Sequence, residues 1–529
     1  MPSPCIAMTL DIAASLAAAR NKALAGQLDD AAALLHGILK SEPGHGEALE
    51  GLGHLAARQG DPVRAADYLL QAAAQMPMSI EQLQWAAQVC QHAQRHADAV
   101  ALFERVLAQA PRHIEALHGA AMSLIQLDEL RRALVMLEQL CKIQPQSAEA
   151  HYNRGALLGK LERYEDELNA YRQTIALKPR FGRAYVNLGV ALRDLGRFDE
   201  ALQQFRKALS LDPDDAGART NRSQTNLLRG EFEHGWREYE WRWRDGTSSH
   251  GFPESTLWTG GQPIGGKTLL VHHEQGFGDT LQFVRFVDRL TAMGAHVVLR
   301  VQDALLPVLG HYPGAADVIG ESATVPRFDY HVPMLSLPFA LKLREADFAT
   351  AGPYLQADAA LISQWDDLFA DEPRRPRVGL VWSGSRTHLN DHNRSMSLEQ
   401  LLPWFDANAA FISLQYDVRE RDRACLAQLE QRGVLRDVSA RLVTFAHTAA
   451  LIARLDVVIT VDTAVAHLAG ALGKPVWIAL PFMPDWRWQL ARSDSPWYPG
   501  MRLFRQITRN DWQAVVTDVR AALDAWRPD

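Results

Sequence analysis

Residues 457–477, VVITVDTAVAHLAGALGKPVW, contain the parts of an anion seat. Val457, Val458, Ile459 and Val461 form a β-branched run of buried-strand type that stops at Asp462 and Thr463. Two N-cap residues there open an alanine-rich helix, so backbone N–H groups and a partial positive charge face whatever lies beyond the strand end. His467 stands one turn after Thr463 and faces the same end of that helix. Such an end can hold a phosphate. An ordinary capped helix in an α/β domain would use the same residues.

Two further stretches carry chemistry-bearing side chains at strand ends. In residues 272–279, HHEQGFGD, Gly276 and Gly278 permit a tight turn and close approach of a ligand to the backbone, and Asp279 stands where an N-cap would. The full dinucleotide fingerprint GxGxxG is absent, so a dinucleotide fold is not indicated. Trp382, Ser383 and Gly384 end another strand and are followed by His388, Asn390, Asp391, Asn393, Arg394 and Ser395. A Ser-Gly strand end offers backbone N–H groups, and Arg394 can reach a phosphate with its fork of donors. Gln415, ending the next strand, is placed to contact a base or ribose. Asp212-Pro213-Asp214 matches a metal-binding DxD literally but falls on a repeat turn, where it is structural. Pro484-Asp485-Trp486-Arg487-Trp488 follows the strand ending at Leu480 and either borders a sugar pocket or packs a sheet edge.

These stretches need scaffolding, and the rest of the chain supplies it. The 529 residues are 47% hydrophobic and 22% charged, which is globular composition with room for several domains. A net charge of -7 lacks the basic excess of sequence-independent nucleic-acid binding. Cys5, Cys90, Cys141 and Cys425 are scattered, with neither disulfide nor zinc spacing, and no apolar run reaches the length of a spanning helix. The N-terminal residues lack the basic start of a signal peptide. The expectation is a cytoplasmic protein with no transmembrane segment, no metal and no nucleic-acid partner.

Prolines at 43, 77, 111, 145, 179 and 213 recur every 34 residues, the period of the tetratricopeptide repeat. Leu188, Gly189, Leu192, Ala201, Phe205 and Ala208 give the internal pattern of small and large residues in the best copy. Six repeats are predicted over 1–215, then a degenerate seventh hairpin and linker over 216–266. The aromatic, arginine-rich WREYEWRW of that hairpin is expected to pack on the next domain rather than bind nucleic acid. Asn153, Asn187 and Asn221 occupy one equivalent position in the last three hairpins, where an amide ladder can hold an extended peptide whatever its sequence.

From Lys267 strands and helices alternate, the mark of parallel α/β architecture. Strands are expected at 268–272, 296–301, 317–319, 329–332, 377–382, 411–415, 457–461 and 475–480. Helices are expected at 280–293, from 398, from 423, at 448–455 and at 512–526. The predicted α/β domains cover 267–372 and 373–529.

Asp462, Thr463, Ala464 and His467 resemble the donor-binding segment of the lipopolysaccharide heptosyltransferase family, in which Asp-Thr-Gly ends the strand; Ala464 departs from that glycine. Repeats in front of such domains resemble the protein O-GlcNAc transferases and bacterial repeat-bearing glycosyltransferases. The resemblance implies an α plus α/β fold: a tetratricopeptide solenoid followed by a GT-B pair of Rossmann-like domains. It implies that Ser383, Gly384, Arg394, Gln415 and the 462–467 turn bind a nucleotide-diphosphate sugar. Gly278 and Asp279 match the family's Gly-Asp pair, whose aspartate is the general base; His273 and Glu274 are the other candidates for that proton. The expected activity is inverting, metal-independent sugar transfer to a Ser or Thr of a protein held by Asn153, Asn187, Asn221 and His273. Transfer to a saccharide or lipid-linked acceptor, or a scaffold with a decayed transferase, are the alternatives.

Overall fold

The computed structural model describes residues 11–246, 249–350, 352–370, 375–388 and 390–527. The chain divides into two compact units, Met1–Leu192 and Arg193–Asp529. The expected boundary at 372/373 lies outside the described residues, and the division within the repeats comes earlier than the expected 215.

The first unit consists of helix pairs: Ile12–Leu24 with Leu28–Ser41, Gly46–Arg58 with Pro62–Gln75, Ile80–His92 with His96–Gln109, Ile114–Gln126 with Leu130–Ile143, and Ala148–Lys160 with Tyr164–Leu177. Each of the six prolines stands two residues past the end of a second helix, where its ring forbids continuation. Small residues let the helices close, within a pair and between pairs: a Cβ on Gly155 would come 2.8 Å from Tyr171 Cε1 of its partner helix, and one on Gly119 2.3 Å from Phe103 Cζ of the preceding pair.

A second periodic device is less visible in the sequence. Residues 26, 60, 94, 128, 162, 196 and 230, one per helix pair, all take left-handed backbone with φ between 57° and 80°. Four are glycine; Gln94, Asp128 and Glu162 are not. A residue with a Cβ is strained there. Gln94→Gly is therefore expected to raise stability by about 0.5–1 kcal/mol; an unchanged or lower urea midpoint would count against the argument.

The second unit opens with the end of the Gly182–Asp194 helix and includes Phe198–Leu211, Ala216–Leu228 and Phe232–Tyr239. The last two form the seventh hairpin, with Gly235 so close to Leu227 that a Cβ would lie 2.4 Å from its Cδ2. Its aromatic face does pack inward: Trp236 meets Trp486 edge-on at 5.1 Å and also contacts Phe283 and Phe348. Arg242 is buried and donates to both oxygens of Glu274, at 3.0 and 2.8 Å.

Two parallel sheets follow. The first comprises β1 (Thr268–His272), β2 (His296–Val301), β3 (Asp317–Gly320) and β4 (Tyr330–Pro333), in the order β3-β2-β1-β4. The second comprises β5 (Arg377–Val381), β6 (Ala410–Ser413), β7 (Leu435–Asp437), β8 (Val457–Val461), β9 (Val476–Leu480) and β10 (Met501–Arg505), in the order β10-β9-β8-β5-β6-β7. Strands β5 and β8 are neighbours, with Val378 opposite Val457 and Val381 opposite Thr460. Their carboxyl ends, which carry Ser383 and Asp462, therefore lie side by side.

Several expectations need correction. The helix foreseen at 280–293 begins earlier, at Phe277, and is interrupted by the 3-10 turn Val284–Phe286. The segment Leu398–Asp406 is a 3-10 helix, because Pro403 inside it cannot continue α-helical bonding. Strand β6 stops at Ser413, before the expected Gln415. The short edge strands β7 and β10 were not foreseen. Among the described residues no helix is long and apolar enough to cross a membrane.

Candidate functional site

The site forms where the helix after β1 meets the helix after β8. A Cβ on Gly278 would lie 3.0 Å from His467 Cδ2 and 3.5 Å from Ala464 Cα, so glycine at 278 is what lets the two turns touch. Asp279 is not the N-cap. Gly276 is, and Asp279 at the third helical position accepts from the Gly276 N–H at 2.8 Å. Its other oxygen pairs with Arg487. The side chain is 16% exposed, enough for a ligand hydroxyl to reach it. Burial pushes the Asp279 carboxyl above its ordinary range, and Arg487 opposes the rise.

The other candidates for the base are differently placed. Both Glu274 oxygens are bound by Arg242, and one also accepts from the Leu335 N–H at 2.8 Å, so this carboxylate braces the fold. His273 turns its Nε2 toward Glu321, 3.4 Å away.

Beyond β8, Thr463 opens the Ala464–Ala471 helix without capping it; its hydroxyl pairs with that of Thr460 at 3.0 Å. The expected two-residue cap is thus absent, and the first helical N–H groups receive no side-chain acceptor from the cap position. The Asp462 carbonyl accepts from Arg394 Nη1 at 2.8 Å, which draws the arginine onto this turn. The Asp462 carboxyl is pushed up to about 6, first by burial and then by Asp485, with Arg394 opposing. His467 is buried, its Nδ1 within 3.0 Å of the Tyr498 hydroxyl and its ring stacked on Trp488 at 5.4 Å. Burial holds it well below the usual histidine range, so it is neutral.

At the end of β5, Arg394 lies so close over Gly384 that a Cβ there would come 2.5 Å from Nη2. The Gly384 N–H donates to Ser395 Oγ at 3.0 Å, and Ser395 donates to Asp391 at 2.7 Å. Arg419, which the sequence reading missed, pairs with Asp391 and donates to the Gly384 carbonyl at 3.3 Å. Three buried donors have no hydrogen-bond partner: Ser383 Oγ, Arg394 Nε and Arg419 Nε. Buried donors of this kind call for an acceptor. Arg419 could have been found by asking which cations follow the carboxyl end of a central strand.

Gln415 is fully engaged. Its carbonyl accepts from the Trp382 and Ser383 N–H groups at 3.2 and 3.1 Å, and its amide donates to the Ser383 and Asp417 carbonyls at 3.0 and 3.2 Å. It braces the turn instead of presenting a free amide to a base or ribose. In the repeats, the Asn153 amide lies 3.4 Å from His118 Nε2, and the Asn187 amide donates to the hydroxyls of Tyr152 and Tyr171 at 3.1 and 3.3 Å. Asn221 accepts from Arg193 at 3.1 Å and donates to the Gly217 carbonyl at 2.9 Å. The ladder is thus partly occupied by the protein's own side chains.

Comparison with known proteins bears on both parts of the chain. Tetratricopeptide repeat families match residues 16–78, 92–161 and 182–215, and glycosyltransferase family 9 (heptosyltransferase) matches residues 410–480, from β6 to β9. Protein FlbA of Caulobacter vibrioides is 25% identical over 323 residues, covering 56% of this chain and 53% of its own. The chain therefore spans about half the length of that curated relative. Among solved structures, MamA from Desulfovibrio magneticus RS-1 is 22% identical with a TM-score of 0.30, covering 32% of this chain and 96% of its own. YrrB, described as a TPR protein with an unusual peptide-binding site, is 21% identical with a TM-score of 0.29, covering 34% and 92%. The chain joins tetratricopeptide repeats to a segment, residues 410–480, that matches glycosyltransferase family 9.

Proposed function

We propose that the two sheets form a GT-B transferase that moves a sugar from a nucleoside-diphosphate donor to a hydroxyl of a protein held by the repeats. The observation that carries this reading is the set of buried donors without a hydrogen bond, Ser383 Oγ, Arg394 Nε and Arg419 Nε, at a strand end whose neighbour opens into an uncapped helix. Diphosphate oxygens are the acceptors such a set suits. Asp279 takes the acceptor hydroxyl's proton as its oxygen bonds to the anomeric carbon. The bond from that carbon to the diphosphate breaks, and its electron pair leaves on the diphosphate, where Arg394 and the helix N-terminus neutralise it. Attack from the face opposite the leaving group inverts the anomeric carbon, and no metal takes part in this scheme. A peptide acceptor fits the repeats, since Asn187 keeps its amide oxygen for a peptide N–H.

The test is thermal stability of the purified chain against uridine, adenosine, guanosine and cytidine diphosphates and their sugars. A ligand at a hundred times its Kd adds about 2.7 kcal/mol of stability. A shift with one nucleotide series supports the reading and names the base; no shift with any at millimolar concentration overturns it.

A further inference from the structure

The motif Pro484-Asp485-Trp486-Arg487-Trp488 is only half explained by packing. Trp486 and Trp488 are core residues, 5% and 0% exposed, but Arg487 between them reaches the site. Its Nε donates to Gln282 Oε1 at 2.7 Å, Nη1 to Asp485 at 2.8 Å, and Nη2 pairs with Asp279, while its face lies over the Trp486 ring at 4.1 Å. Each nitrogen has its own acceptor, so the planar group has one orientation.

We propose that Arg487 is the positioning residue for Asp279, fixing the orientation and charge of the carboxylate that receives the acceptor proton. This rests on the reading of Asp279 as the base. Arg487 and the Gly276 N–H hold one oxygen each, which leaves a free lone pair on both for an incoming hydroxyl. The charged and titratable groups around Asp279 are Arg487 and Asp485 from the 485–488 turn, Glu274 after β1, His388 after β5 and His467 on the helix after β8, which burial keeps neutral. Burial, Asp485 and Glu274 all favour the protonated acid; Arg487 is the cation that opposes them. Without it the carboxyl gains a proton at higher pH and ceases to be a base.

The experiment follows release of nucleoside diphosphate from the same four series of nucleotide sugars, with water as acceptor, across pH. Arg487→Gln is expected to move the acid limb of kcat upward by about one pH unit and so to lower kcat by up to about 10-fold on that limb, with recovery at higher pH. Asp485→Asn keeps Arg487 in place and removes a competing carboxylate, so its acid limb is expected to move down. This second variant separates charge from folding, because a merely structural role predicts no shift in that direction. Uniform loss in Arg487→Gln with both limbs unmoved would overturn the inference while leaving the transferase reading intact. No release by the wild type from any donor, together with no thermal shift, would overturn both.

Discussion

Arg394→Ala is expected to abolish the thermal shift produced by the matching nucleotide sugar and to weaken donor affinity at least about 30-fold. The guanidinium is held against the Asp462 carbonyl at 2.8 Å and over Gly384, and its Nε makes no hydrogen bond, with Asp391 Oδ1 3.7 Å away. A charge-assisted hydrogen bond to a diphosphate oxygen contributes about 1.5–3 kcal/mol, or roughly one to two decades in Kd. The substitution also frees the Asp462 turn, so a second contact to the same diphosphate loosens. Lysine at 394 would restore charge without the fork, and partial recovery is expected. Titration of the variant by calorimetry or fluorescence checks the figure. An unchanged Kd would remove Arg394 from the donor site.

Asp279→Asn should separate chemistry from binding. The amide is nearly isosteric but can accept from only one of the Gly276 N–H and Arg487, its NH2 turning to the other, and it cannot take a proton. General-base removal typically costs about 10²–10⁴ in rate, so kcat is expected to fall by that factor with the donor Kd unchanged. Truncating one partner of a buried ion pair can destabilise by about 3–5 kcal/mol. Here Arg487 keeps Asp485 at 2.8 Å, so the loss in stability should be smaller, and a melting curve near that of the wild type is the control. A variant with wild-type kcat would hand the base role to another group.

What could be read without coordinates follows from how local each signal is. The proline ladder marks repeat ends because proline terminates a helix wherever it stands. The left-handed turn at Gln94, Asp128 and Glu162 hides in the same period, since side chains that merely tolerate such a backbone leave no compositional mark. Strands β2 and β8 announce themselves by β-branched residues and β1 by an apolar run, whereas β7, Leu-Arg-Asp, is too short and polar to do so. At the candidate site, Asp279, Arg394 and His467 could be singled out because each follows closely on the carboxyl end of a strand. Their partnerships could not: Asp279 and Arg487 are 208 residues apart in sequence, and Arg394 reaches Asp462 across 68. For the same reason Gln415 looked like a ligand contact, because nothing local shows that the Trp382–Ser383 backbone, with the Asp417 carbonyl, uses all of its amide.

The seventh hairpin is part of the core of the second unit. Trp236 packs on Phe283 and Trp486, and Arg242 is the cation that neutralises buried Glu274. A fragment beginning at Lys267 would lose both and leave Glu274 charged in the interior without a counterion, whereas one beginning before Gly182 would keep them. The second unit therefore has a definite beginning: Phe232–Tyr239 and the turn after it belong with the two sheets rather than with the repeats upstream.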